Sequence, residues 1–251
     1  MPDSPESAQY VKPFVYESLC SKALHFSISE IQSRMQLRDP YALDLEYTRT
    51  MMGFLLFNPR PDSIAMIGLG GGSLAKFCHR YLPSSRIQVV EINPHVIALR
   101  DEFHVPPDDP RFSVIRGDGA HFVRHRPSRV DVLVVDGFDS HGQPARLSSQ
   151  RFYDDCFEML QPGGIMVVNL HYGHPRYDIY VDRIRHSFAD SVLLVDDGEL
   201  SNSIVFACKG DALDNHRPGL VRRPSNIEAV AADQLLAAFV LITSALKDRR
   251  P

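Results

Sequence analysis

Two rhythms of apolar and polar residues alternate along the chain. The first is a short, mostly apolar run: Ile64 to Ile67, Ile87 to Val90, Ser113 to Ile115, Val130 to Val135 and Ile165 to Leu170. Such runs predict strands buried on both faces, as in a parallel sheet. The second is helical in spacing. It covers Leu74 to Leu82, His95 to Phe103 and Ala120 to His125, then the group Phe152, Tyr153, Cys156, Phe157 and Leu160, and the group Tyr177, Tyr180, Val181, Ile184 and Phe188. Ser148 or Ser149 is placed to cap the fourth of these, and Gln161-Pro162-Gly163-Gly164 to end it. Strand and helix in alternation predict an α/β fold, a mainly parallel sheet with helices on both faces.

The flanks read differently. Phe14 to Leu19 and Leu24 to Ile31 lean towards strand and predict a small antiparallel β appendage, closed by Arg38-Asp39-Pro40. Leu43 to Phe57 predicts a linking helix with Leu45, Met52, Leu55 and Leu56 near one stripe, stopped by Asn58-Pro59. The chain divides into residues 1–58, appendage and helix, and residues 59–251, the main domain. Residues 1–9 are polar and are expected to be disordered. Beyond the main pattern, Val192 to Val195 and Ile204 to Ala207 predict two late strands with a turn near Asp197-Gly198. A last helix runs from Ile227 to Leu246, opened by the capping box Ser225 and Glu228. Its broad apolar face is either core or a partner surface.

One stretch carries chemistry. Ile64 to Asn93 reads strand, glycine turn (Gly68-Leu69-Gly70-Gly71-Gly72-Ser73), helix, strand, acid (Glu91), the first half of a nucleotide-binding βαβ unit. Glycine lets the chain turn tightly and its backbone approach a ligand. An acid ending the second strand is placed to accept hydrogen bonds from ribose hydroxyls. Ligands of such sheets bind outside the carboxyl ends of the strands, a rule that selects Glu91, Asp118, Asp136 and Asp139. Two have plainer alternatives: Asp118 as cap of the helix after it, Asp139 as holder of a loop turn.

Composition narrows the partners. A net charge of -4 argues against a nucleic-acid protein led by phosphate contacts. Four cysteines without CxxC spacing predict a reduced compartment and no zinc site. No apolar run approaches the ~20 residues of a membrane span, and the N-terminus lacks a signal peptide's apolar core. The expected location is the cytoplasm.

These residues resemble the spermidine synthase (polyamine aminopropyltransferase) family, a branch of the Rossmann-like class I S-adenosylmethionine-dependent methyltransferase fold. The matching pieces are Ile67 to Gly72, Val89-Val90-Glu91-Ile92-Asn93, Asp109-Pro110-Arg111, Gly117-Asp118-Gly119, Asp131 to Asp136 and Leu160 to Gly164. The resemblance implies decarboxylated S-adenosylmethionine, or S-adenosylmethionine itself, as co-substrate, no metal, a polyamine or other amine acceptor, and a homodimer. By the same resemblance Gly68, Gly70 and Gly72 admit the aminopropyl and sulfonium end. Glu91 and Ile92 bind the ribose side, and Asp118 and Gly119 the adenine side. Asp136 acts on the acceptor amine and Asp139 holds it by charge.

The chain departs from the family pattern in the amine-holding half. Its glycine loop has no acid, Gly137-Phe138 and Ser140 replace the family's residues around the second aspartate, and Glu46 and Tyr47 stand nearest to its aromatic-glutamine pair. Three functions are compatible: an aminopropyltransferase, a methyltransferase using intact S-adenosylmethionine, and a nucleoside-binding homologue without catalysis.

Overall fold

The computed structural model describes residues 10–27, 31–125, 128–138, 142–196, 201–215, 223–224 and 226–249. A three-stranded antiparallel sheet comes first: β1 (Phe14–Glu17), β2 (Ser21–His25) and β3 (Ile31–Gln36). Two strands are expected from the sequence here. The third turns only Ser33 and Met35 inward, so it shows no apolar run.

The predicted linking helix is two short ones, α1 (Glu46–Met51) and α2 (Phe54–Phe57), split at Met52-Gly53. A Cβ on Gly53 would lie 2.2 Å from Ile242 Cδ1 and 2.8 Å from the Phe206 ring. Glycine therefore allows the close approach that bends the chain there.

The main body follows with β4 (Ser63–Ile67), α3 (Ser73–Tyr81), β5 (Arg86–Glu91), α4 (Pro94–Ile97), β6 (Phe112–Arg116), α5 (Gly119–His125) and β7 (Val130–Val135). It continues through α6 (Gln150–Met159), β8 (Leu160–His171), α7 (Tyr177–Ser187), β9 (Val192–Asp196), β10 (Asn202–Cys208), α8 (Ala212–Asn215) and α9 (Ala229–Asp248). The sheet order is β6-β5-β4-β7-β8-β10-β9, with β10 antiparallel to both neighbours and the rest parallel.

The continuous apolar runs have the predicted origin. Ile64, Met66, Val132, Val134, Ile165 and Val167 face one apolar layer, shared with α1, α2, α3 and α9. Ala65, Ile67, Leu133, Val135, Met166 and Val168 face the other, covered by α5, α6 and α7. Each buried aliphatic side chain contributes roughly 1.5–3 kcal/mol. Leu24 and Met35 of the small sheet belong to the first layer.

Other boundaries differ from expectation. The helix expected over 95–103 ends at Ile97, and the chain reverses at His104 (φ 57) to bring Phe103 and Val105 inside. Buried Lys76 of α3 donates to the Phe103 carbonyl at 2.8 Å, and burial alone lowers its pKa to about 8. Ser149 is the α6 cap, its hydroxyl accepting from Phe152 N at 3.2 Å. The turn at Asp197-Gly198 and the capping residue Ser225 lie outside the described residues. α9 corrects the reading that no segment approaches a membrane span, since its 20 residues are long and apolar enough for one. Here its apolar side, Leu235, Phe239, Ile242 and Leu246, is buried in the first layer.

Candidate active site

β4 has β5 on one side and β7 on the other, so the strand order reverses between β4 and β7. The crevice beyond the carboxyl ends at such a reversal is where a doubly wound sheet binds ligands. The glycine turn leaves β4 there, and Asp136 leaves β7 there. Gly68 has φ +95, and a Cβ on it would lie 2.1 Å from the Asp136 carbonyl oxygen. Gly70 follows in the turn, and Gly72 is the N-cap residue of α3. Ser33 of β3 and Phe103 close over Gly71, and the Ser33 and Ser73 hydroxyls are 3.4 Å apart.

Glu91, at the end of β5, is 8% exposed. Its Oε2 accepts from Leu69 N of the glycine turn at 2.9 Å and its Oε1 from Asn93 N at 2.8 Å. Burial raises its pKa, and these amides oppose the rise. The amides of Ile92 and Gly70 also face this carboxylate.

Asp118 does what its plainer alternative describes. Its Oδ1 accepts from Ala120 N at 2.8 Å and His121 N at 3.1 Å at the start of α5, while Oδ2 meets Arg146 Nη1 at 2.8 Å. Burial pushes its pKa up, but the His121 amide, Arg146 and the Ala120 amide outweigh it, and the net shift is down. Asp118→Ala should therefore destabilise the fold by about 1 kcal/mol in urea unfolding, and Asp118→Asn by less, since asparagine caps as well.

Asp118 also lines a cavity of about 590 Å³ with Tyr10, Ile92, Arg116, Gly117 and Arg146. Glu91 stands beside this cavity, one residue before Ile92. Gly119 faces the core instead: a Cβ there would lie 2.4 Å from Ile67 Cγ2, so the residue lets α5 approach β4.

Asp136 is half-buried beyond the turn. Its Oδ1 accepts from Asn169 Nδ2 of β8 at 3.0 Å and its Oδ2 from the Tyr47 hydroxyl of α1 at 3.3 Å. Burial raises its pKa against the effect of both bonds. Tyr47 also lies 3.4 Å from the Gln32 carbonyl of β3, and its own pKa is raised by burial and by Asp136. Asp139 lies outside the described residues. Asn169 is the partner that the sequence reading misses. Its signal is a lone amide inside the apolar run from Ile165 to Leu170.

Three carboxylates therefore stand along one rim. Glu91 and Asp136 flank the glycine turn, and Asp118 faces the adjoining cavity. The arrangement suits a ribose beside Glu91 and a base in the cavity. It leaves a half-buried carboxylate, readier than usual to take a proton, on the far side of the turn.

Comparison with known proteins bears on the family and the fold. Residues 44–180 match the spermine/spermidine synthase domain. The polyamine aminopropyltransferase of Chromobacterium violaceum is 36% identical over 208 residues, 82% of this chain and 80% of that protein. Among solved structures, a probable spermidine synthase from Corynebacterium glutamicum superposes with a TM-score of 0.69 at 20% identity, over 94% of this chain and 89% of that one. Human methyltransferase-like protein 13, solved with SAH, gives 0.60 at 21% identity, over 82% of this chain and 95% of its own. Both share the methyltransferase fold.

Proposed function

Because the chain belongs to the spermine/spermidine synthase family, we propose that it is a polyamine aminopropyltransferase that draws on decarboxylated S-adenosylmethionine. The acceptor's amine nitrogen attacks the aminopropyl carbon bound to the sulfonium. The carbon–sulfur bond breaks, 5′-methylthioadenosine leaves as a neutral thioether, and the proton shed by the new ammonium goes to Asp136. The sulfonium is already an activated leaving group, so the protein's task is to align the two substrates and take that proton.

The observation that carries this reading is the setting of Asp136. It is a half-buried carboxylate with raised pKa, held by Asn169 and Tyr47. Its backbone carbonyl packs against the turn at Gly68. Transfer should rise with pH through the titration of a group above the ordinary carboxylate range, read as kcat against pH.

Glu91 binds the ribose hydroxyls, Ile92 packs beside the sugar and base, and Asp118 accepts from the base's amino group with the oxygen it shares with Arg146. Gly68, Gly70 and Gly72 admit the sulfonium end. Glu91→Ala should weaken 5′-methylthioadenosine binding about 10-fold or more, the scale of one or two charge-assisted hydrogen bonds. Unchanged affinity in calorimetry would remove Glu91 from the ribose role.

The decisive experiment supplies decarboxylated and intact donor with putrescine or spermidine and reads product mass. A gain of one aminopropyl group is expected from the decarboxylated donor. A gain of one methyl group from the intact donor would replace this function with methyl transfer. The protein acts as a cytoplasmic homodimer on small amine acceptors, a reading the family supports; the acidic net charge suits the cationic acceptor.

A further inference from the structure

The cavity at the ends of β5 and β6 has a wall that the sheet does not supply. Tyr10 lines it, although Tyr10 belongs to the segment ahead of β1. Ile92, on the same cavity, leaves 43% of its surface open although it directly follows the buried Glu91. An apolar side chain and a phenol ring on a cavity whose polar groups include Asp118 and Arg146 suit a flat heteroaromatic ring with a polar edge. Rings of that kind are commonly held by stacking on aromatic side chains.

Asn93 explains how Tyr10 stays there. It is 6% exposed and every polar group it has is engaged. Its backbone N–H donates to Glu91 Oε1 at 2.8 Å, its Oδ1 accepts from His95 N at 3.0 Å as the α4 cap, and its Nδ2 donates to the Val11 carbonyl at 2.8 Å. One residue thus ties the chain after Tyr10, through its side chain, to the carboxylate proposed for the ribose, through its backbone.

The geometry points to Tyr10 as a stacking wall for the donor's purine base and to Asn93 as the positioning residue that holds it in place. This rests on the nucleoside reading above and adds to it which residues read the base.

The test exploits the absence of tryptophan from the chain. In Tyr10→Trp the new indole is the sole one, and its emission should change saturably with 5′-methylthioadenosine, at the affinity calorimetry gives. 5′-Methylthioribose, which lacks the base, should leave it unchanged. Tyr10→Ala should bind 5′-methylthioadenosine about 5- to 100-fold more weakly than wild type, and Tyr10→Phe should match wild type. Asn93→Ser keeps an α4 cap but is too short to reach Val11. It should weaken binding in the wild-type background and add nothing in the Tyr10→Ala background, a coupling that a purely structural role for Asn93 would not give.

Wild type that binds while Tyr10→Ala binds equally and the indole stays silent would overturn the stacking role alone. Equal losses from Asn93→Ser in both backgrounds would overturn the positioning role. Wild type that fails to bind 5′-methylthioadenosine would overturn the nucleoside reading, and this inference with it.

Discussion

Asp136→Asn should reduce kcat for aminopropyl transfer by about 10²- to 10⁴-fold, the range of a positioned general base, while calorimetric affinity for 5′-methylthioadenosine stays near wild type. The substitution keeps shape and removes only the ability to take a proton. Stability should move the other way. A carboxyl whose pKa is raised in the folded state contributes stability that is present at low pH and lost as pH rises through the folded value. Asparagine does not ionise, so at neutral pH the variant escapes that loss. Its neighbours accommodate it: Tyr47 still donates to the amide oxygen. Asn169 turns its amide over, so that Oδ1, buried and without a partner in the described structure, accepts from the new NH₂ in place of the bond that Nδ2 now donates. The thermal midpoint of Asp136→Asn should therefore equal or exceed that of wild type. A variant that transfers at full rate would take Asp136 out of the chemistry. One that loses activity together with stability would make its role structural.

Gly68→Ala should cost more stability than any other single methyl added to the turn. The φ of +95 alone strains an L side chain by roughly 1–2 kcal/mol. The added Cβ would then lie 2.1 Å from a backbone oxygen that belongs to a strand end and has little freedom to move. Together these should exceed about 3 kcal/mol. Relief requires β4 and β7 to part, which displaces Asp136, so activity should fall with stability. Gly163→Ala is the control. Its φ of +79 carries similar strain, but nothing lies within 4 Å of its Cβ, and it should cost about 1 kcal/mol. Equal urea midpoints for the two variants would show that contact with the Asp136 carbonyl carries no weight.

What the sequence reveals tracks how locally each feature is determined. The strands of the main sheet are legible because both faces are covered along their centres, so most central positions are apolar regardless of which neighbour they meet. Glu91, Asp118 and Asp136 are legible because strand direction and the reversal of strand order place them on one rim. β3 escapes because its inward positions are Ser33 and Met35, chosen for contact with the glycine turn and the shared core rather than for a sheet of its own. The split of the linking helix is invisible because its cause, the closeness of Gly53 to Ile242, joins residues far apart in the chain. Asn169 and Tyr10 need the folded molecule too. One sits in an apolar strand where an amide looks like an exception. The other reads from sequence at most as one of several tyrosines able to line an acceptor pocket, and only the folded chain carries it to the cavity beside Asp118.

The seat of Tyr47 has a consequence for how the molecule matures during synthesis. α1 carries Tyr47 and packs on α9, and Leu43 N, just before α1, donates to Gln234 Oε1 of α9 at 2.9 Å. The parallel strands can associate as they leave the ribosome, but the packing that fixes α1, and with it the hydroxyl that steadies Asp136, is complete only after α9 has been translated. A nascent chain halted before α9 should thus hold a nucleoside pocket and lack a competent proton acceptor, so binding is acquired before turnover.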